Sequence, residues 1–292
     1  GEISTAEAAE LMEALKTGLQ REGYTFYTGI SYRHLLIQSK GKVVDLTAPH
    51  DILTKRIGEY LPGDPVLREM MVKSYDILKD HPVNIKRREQ GKNPANSAWF
   101  WGAGTRPALI SFEKKNGVKG AMISAVDLLK GIAVGAEMDN ITVEGANGGL
   151  DTNYAGKGQA AVKALIRDGY DFVYVHIEAP DEMGHQGSAE NKILAIERID
   201  EKIICPVVQA FQEAGTDFRM LILPDHPTPV RVRTHTGDPV PYLLYDSTEN
   251  VNGPDTYSEK TGAQTGIYVA EGCTALYLLL ANSERGLGTS AN

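Results

Sequence analysis

The chain is poor in cysteine and has no surplus of positive charge. Two cysteines occur in 292 residues, Cys205 and Cys273, with no paired spacing. That argues against a disulfide framework and points to a reducing compartment. Thirty Lys and Arg stand against 38 Asp and Glu, a formal net charge of −8. Nucleic-acid binders carry a basic surplus, so no nucleic-acid partner is expected. A small anionic substrate remains compatible, because a local Arg/Lys pocket can sit inside an acidic protein. No apolar run approaches the length of a membrane span and no signal peptide is visible, so no membrane partner is expected and the location is read as cytoplasmic. Hydrophobic residues make up 42% of the chain and charged residues 23%, an ordinary globular balance. The length suits one large domain or two smaller ones.

What is present is organised in two styles. Residues 4–20 read as a helix, since Ser4 and Glu7 have the spacing of a capping box and Ala8, Leu11, Met12, Leu15 and Leu19 recur at helical period. Two strands are expected within 24–39 around Thr28-Gly29, and a helix over 65–78 with Leu67, Met70, Met71, Tyr75 and Leu78 on one face. The charged run 86–92 reads as a loop. Beyond residue 116 strands and helices alternate: strands at 118–124, 140–143, 172–177, 218–223 and 240–245, helices at 126–136, 152–168 and 189–214. Such alternation implies a largely parallel sheet covered by helices. The expected division is a mixed α+β domain over 1–115 and a doubly wound domain over 116–292. The glycine-rich run 145–149 lacks the Gly-Lys-Ser/Thr ending of a P-loop and reads as a turn into a helix cap at Asp151/Thr152.

Four of the seven histidines fall in the later part of the chain, and three of them belong to short clusters, two of which also hold an aspartate. The clusters are Pro180-Asp181-Glu182-Met183-Gly184-His185, Pro224-Asp225-His226-Pro227 and Thr234-His235-Thr236. Carboxylate oxygen with neutral imidazole is a ligand mixture suited to zinc or manganese. Asp181 and His185 are four apart and share a face if the segment is helical. Asp225 and His226 are adjacent and point different ways in an extended chain, which favours a bridging arrangement or membership of a two-metal site. His235 follows in the next loop. His176 lies inside a strand and reads as a hydrogen-bonded core histidine.

These residues resemble the alkaline-phosphatase superfamily, and within it the cofactor-independent phosphoglycerate mutases of the archaeal-type branch. The resemblance extends upstream through Gly29-Ile30-Ser31-Tyr32-Arg33-His34, Pro49-His50-Asp51, Asn93-Pro94-Ala95-Asn96-Ser97 and Leu150-Asp151-Thr152-Asn153-Tyr154. It implies an α/β fold, an alkaline-phosphatase-like doubly wound and mostly parallel sheet with a smaller inserted α+β substrate-binding domain. It also implies metal-dependent phosphoryl transfer between 3-phosphoglycerate and 2-phosphoglycerate through a phosphoserine, a step of glycolysis and gluconeogenesis. Two divalent ions are expected, Mn2+ or Zn2+ ahead of Mg2+ or Co2+, with Asp181, His185 and His235 holding one and Asp225 and His226 helping to hold the other. Lys130 is matched to a lysine near the phosphoryl group. Arg33, His50, Asn96 and Arg106 are the substrate-binding candidates, and His34 and Asp51 the proton-shuttling ones. The partner is a small phosphorylated three-carbon acid.

Members of that family begin with a strand ending in an Asp-Gly metal motif, followed by the nucleophilic serine. Here the first serine, Ser4, sits at a helix cap. The chain is therefore expected to be a fragment lacking the N-terminal core strands, inactive alone and prone to self-association through exposed sheet edges. A phosphatase, a phosphodiesterase or a homoserine-kinase-like phosphotransferase would carry the same metal clusters, because fold and metal site do not choose the acceptor. A non-catalytic binding fragment is the remaining alternative.

Overall fold

The computed structural model describes residues 3–280 apart from Leu53 and Asn252; the side chain of His50 also lies outside the described residues. Contacts divide the chain into two units, Gly1–Pro107 and Ala108–Asn292.

In the first unit Ser4 starts helix α1 (Thr5–Gly18). Its hydroxyl accepts the Glu7 N–H at 3.2 Å, and the Glu7 carboxylate accepts the Ser4 N–H at 3.0 Å. This reciprocal cap satisfies two N–H groups that have no partner within the helix. Ala8, Leu11, Met12 and Leu15 form its buried stripe. Strands β1 (Tyr24–Tyr27) and β2 (Leu35–Gln38) pair antiparallel, with Tyr24 opposite Gln38. Helix α2 (Pro65–Leu78) has the expected bounds, capped by Asp64, which accepts from Val66 and Leu67. Its buried face differs at one place. Tyr75 is exposed, and Ser74, four residues from both Met70 and Leu78, takes the inner position.

The charged run expected as a loop is helical as far as Glu89, within α3 (Pro82–Glu89). His81 Nδ1 accepts the Val83 N–H, Pro82 fits the first turn, and Lys86, Arg87 and Arg88 lie in the last turn, where carbonyl ends favour cations. Arg87 is buried: its guanidinium donates to Glu7 at 3.0 Å and to the Asn93 carbonyl at 2.8 Å. Fully buried Asn84 donates to the Leu78 and Ala95 carbonyls and accepts the Ala95 N–H, so it anchors Ala95 near the start of residues 92–111, which contain no helix or strand.

The second unit starts with α4 (Phe112–Asn116) and β3 (Gly120–Ile123), whose four residues are all buried. It continues through α5 (Asp127–Gly135), β4 (Asp139–Asn140), α6 (Tyr154–Ile166) and β5 (Phe172–Val175). The strands form a parallel sheet in the order β4-β3-β5, with Ala121 opposite both Asp139 and Val173. A strand covered on both faces reads as a continuous apolar run, as β3 does. The cap of α6 is Asn153, which accepts from Gly156, not Asp151/Thr152. The Thr152 hydroxyl instead accepts the Asn147 N–H and closes the glycine-rich turn.

Because β3 and β5 are parallel, the segments leaving them start at one edge of the sheet. There α7 (Ala179–Gln186) begins, followed by α8 (Ala189–Ile199). The single helix expected over 189–214 contains a π turn, Asp200–Ile204, before α9 (Cys205–Ala214). Pro206 has no N–H and its ring crowds the carbonyl four residues back; the wider turn accommodates both. Gly158 of α6 lies against this turn, where a Cβ would sit 3.3 Å from the Lys202 carbonyl. Strands β6 (Arg219–Ile222) and β7 (Leu243–Asp246) then pair antiparallel. The strand expected from residue 240 starts at Leu243, after Pro239 and Pro241, which cannot donate to a ladder. Short helices α10 (Glu259–Gln264) and α11 (Ala275–Leu280) end the described chain. Among the described residues no helix is long and apolar enough to cross a membrane.

Ser4 and Arg87 together hold the Glu7 carboxyl at about 2, down from the ordinary 4.5. A depressed carboxylate contributes stability above its unfolded pKa and loses it as pH falls towards the folded value. Urea melts are expected to weaken between about pH 4.5 and 2, and Glu7→Gln to flatten that limb. Asn84→Leu, which strands the Leu78 and Ala95 groups, is expected to lower the unfolding free energy by about 2 kcal/mol or more.

Candidate metal centre

Pro180 lies in the first turn of α7, and Ala179, fully buried, anchors that turn in a core formed with Tyr154, Ala195, Ile203, Val207 and Phe211. The helix then presents Asp181 and His185 on one face, with Oδ2 and Nε2 3.3 Å apart. His235 arrives from the segment between β6 and β7. Its Nε2 lies 3.3 Å from Asp181 Oδ1 and 3.1 Å from His185 Nε2. One donor atom from each of the three residues lies within 4.8 Å of the others.

The protonation pattern follows from the neighbours. His185 Nδ1 is 3.0 Å from the Arg233 carbonyl oxygen, which only accepts. Nδ1 therefore carries a proton, and in the neutral ring the Nε2 lone pair is directed into the cluster. Pinning one ring nitrogen on a carbonyl is how a ligating histidine is oriented. Two imidazole nitrogens and a carboxylate oxygen form a donor set that fits a divalent ion such as zinc or manganese.

Asp225 and His226 converge, contrary to the expectation that adjacent side chains diverge. Asp225 Oδ1 accepts the His226 backbone N–H at 3.0 Å, which turns the carboxylate back so that Oδ2 lies 3.3 Å from His226 Nε2. The His226 ring packs on His235 with centroids 3.7 Å apart. All five residues singled out in the sequence are thus brought together, as a triad and an adjoining pair.

Behind the cluster, His176 follows β5 and its Nδ1 is 3.4 Å from the Ser124 hydroxyl. Burial lowers the His176 pKa, with Asp225 acting in the opposite direction. Lys157 on α6 is 1% exposed and donates to the His176 carbonyl at 3.0 Å. Burial lowers its pKa too, and the charge of Glu178 partly offsets this. Lys192 donates to the Thr228 carbonyl at 2.7 Å, and the Thr228 hydroxyl donates to Asp181. Sequence reasoning missed Lys157, Lys192 and Thr228. Thr228 carried a signal, since it stands between Pro227 and Pro229 directly after the Asp-His pair; the two lysines look like any solvated helix lysine.

The remaining candidates have local partners. Lys130, on α5, places its ammonium 3.5 Å from Asp127, one turn back. In the first unit Arg33 lies over the Tyr32 ring at 5.2 Å and donates to its hydroxyl. His34 Nδ1 accepts the Gly29 N–H at 3.1 Å, and burial, with Lys16 second, lowers its pKa from 6.5. Asp51 sits in the 3-10 turn Pro49–Ile52, beside His50. Asn96 is half-buried and Arg106 exposed, both in the irregular segment that follows α3.

Residues 15–274 match the model of the Metalloenzyme superfamily. The chain is 47% identical to the 2,3-bisphosphoglycerate-independent phosphoglycerate mutase of Methanosarcina mazei, covering 90% of this chain and 68% of that relative. It is 44% identical to the probable 2,3-bisphosphoglycerate-independent phosphoglycerate mutase of Geobacter sulfurreducens, covering 96% and 71%. The chain thus spans about two thirds of the length of these relatives. A solved protein from Pyrococcus horikoshii aligns with TM-score 0.68 at 29% identity, over 90% of this chain and 64% of its own. The cofactor-independent phosphoglycerate mutase from Thermoplasma acidophilum aligns with TM-score 0.54 at 24% identity, over 94% and 70%, and supports the fold alone.

A zinc titration followed by calorimetry checks the triad. His185→Ala and His235→Ala are each expected to weaken binding by about tenfold or more relative to the unsubstituted chain.

Proposed function

We propose, for a chain that belongs to the 2,3-bisphosphoglycerate-independent phosphoglycerate mutases of the Metalloenzyme superfamily, that its triad and adjoining pair are the metal-binding part of a phosphoryl-transfer site interconverting 3-phosphoglycerate and 2-phosphoglycerate. The observation that carries the reading is the convergence of Asp181, His185 and His235, with the His185 lone pair turned inward by the Arg233 carbonyl. In this reading those three hold one divalent cation, Mn2+ or Zn2+, and Asp225 with His226 helps to hold a second. Two such cations, when bound, offset charge on the phosphoryl oxygens and depress the pKa of an attacking hydroxyl.

The other residues do the rest of the work. Residues 116–292 are read as the metal-binding core and residues 1–115 as the substrate-binding part. Lys130 offers a point charge to the phosphoryl group. Arg33 grips the glycerate carboxylate bidentately, with His50, Asn96 and Arg106 lining the substrate. His34, kept neutral by its burial, moves a proton between the substrate hydroxyls together with Asp51. A phosphoserine carries the transferred group. Among the described residues the hydroxyl bonded to the triad is that of Thr228, and it is committed to Asp181. The 292 residues alone are therefore expected to bind the cation without turnover. The reading also includes a cytoplasmic location and self-association through the outer edges of β4 and β5, which are unpaired among the described residues.

The test is a coupled assay of 2-phosphoglycerate formation by the protein expressed from its whole reading frame. Activity is expected to vanish with chelator and return with Mn2+. Arg33→Ala is expected to lower kcat/KM by about a hundredfold while sparing hydrolysis of a simple phosphate ester. Full activity in chelator, or turnover by the 292 residues alone, would each contradict a part of the proposal.

A further inference from the structure

Thr228 touches both ligand groups at once. Its hydroxyl donates to Asp181 Oδ1 and lies 3.3 Å from His226 Nδ1. A carboxylate accepts and cannot donate, so the single hydroxyl proton is directed to Asp181. The hydroxyl oxygen is then the acceptor in the second contact, and His226 Nδ1 must carry a proton. In the neutral ring this leaves the lone pair on Nε2, the atom 3.3 Å from Asp225 Oδ2. With that tautomer two electron-rich atoms face each other there, an arrangement suited to a cation between or beside them.

Thr228 is itself held from three sides. It is 2% exposed. The Lys192 ammonium binds its carbonyl at 2.7 Å. Gly184 of α7 lets its backbone approach, since a Cβ there would lie 2.5 Å from the Thr228 carbonyl oxygen and 3.1 Å from its Cβ. A glycine inside a helix costs about 1 kcal/mol relative to alanine, and this contact is what that position accommodates. Pro227 and Pro229 restrict the backbone on either side.

We propose that Thr228 is a positioning residue for both cation positions: its one hydroxyl fixes the rotation of the Asp181 carboxylate and the Nδ1–H tautomer of His226. The inference rests on the metal-binding reading above but is tested separately from it. The variants are Thr228→Val, which keeps shape and loses the hydroxyl, and Thr228→Ser, which keeps the hydroxyl. Zn2+ affinity is read by competition with a chromophoric chelator, the Co2+ visible absorption band reports ligand geometry, and long-range 1H–15N spectra of the metal-free chain report the His226 tautomer. Thr228→Val is expected to weaken Zn2+ binding by about 10- to 100-fold, to alter the Co2+ band and to release the His226 tautomer. Thr228→Ser is expected to restore all three. Wild-type affinity in Thr228→Val, or equal loss in both variants, would overturn the inference by reducing Thr228 to a packing role. If Thr228→Val does not fold, the unsubstituted chain decides: His226 protonated on Nε2 refutes the proposal and on Nδ1 supports it. Should the unsubstituted chain bind no cation, the metal reading fails, and the same tautomer measurement still tests Thr228.

Discussion

Helix α7 can bring its two donor side chains against the loop after β6 only because Gly184 has no side chain. With a Cβ at that position, the Thr228 carbonyl would have to move, and with it the hydroxyl that reaches Asp181. The close approach joins two stretches of chain 47 residues apart. One of them follows a parallel strand and the other an antiparallel one. The contacts between them depend on their registry: Asp181 with His185 and His235, and His185 Nδ1 with the Arg233 carbonyl.

The sheet explains why the ligands come from these places. Parallel strands with helical crossovers leave their C-terminal ends at one edge, and loops there are free of ladder hydrogen bonds. Asp181 and His185 need the first turns of a helix leaving that end of the sheet, because helical spacing brings residues four apart close together on one face. Asp225 and His226 need something else. Adjacent side chains converge only if one is bent back, and the backbone N–H of His226 does this to the Asp225 carboxylate.

Much of this was legible in the sequence where the signal is local. The capping box of Ser4 and Glu7, the bounds of α2, the strand–helix alternation after residue 116 and the spacing of Asp181 and His185 each follow from short-range stereochemistry. The five ligand candidates were legible from residue type and from their position after apolar runs. Features that depend on distant partners were not. Arg87 looked solvated because its burial depends on Glu7, a residue of another helix. The π turn before Pro206 answers a steric conflict that a period of 3.6 residues does not register. The start of β7 was legible in principle, since Pro239 and Pro241 cannot enter a ladder. The roles of Thr228 and Lys192 required knowing which carbonyl and which carboxylate they would meet.

Lys157 shows a further result of this architecture. Its amine is sealed beneath the carbonyl at the end of β5, where acylating reagents cannot reach it while α6 and β5 stay together. Chemical labelling at this position would thus clock the local opening of the layer that supports α7, independently of whether the rest of the chain has melted.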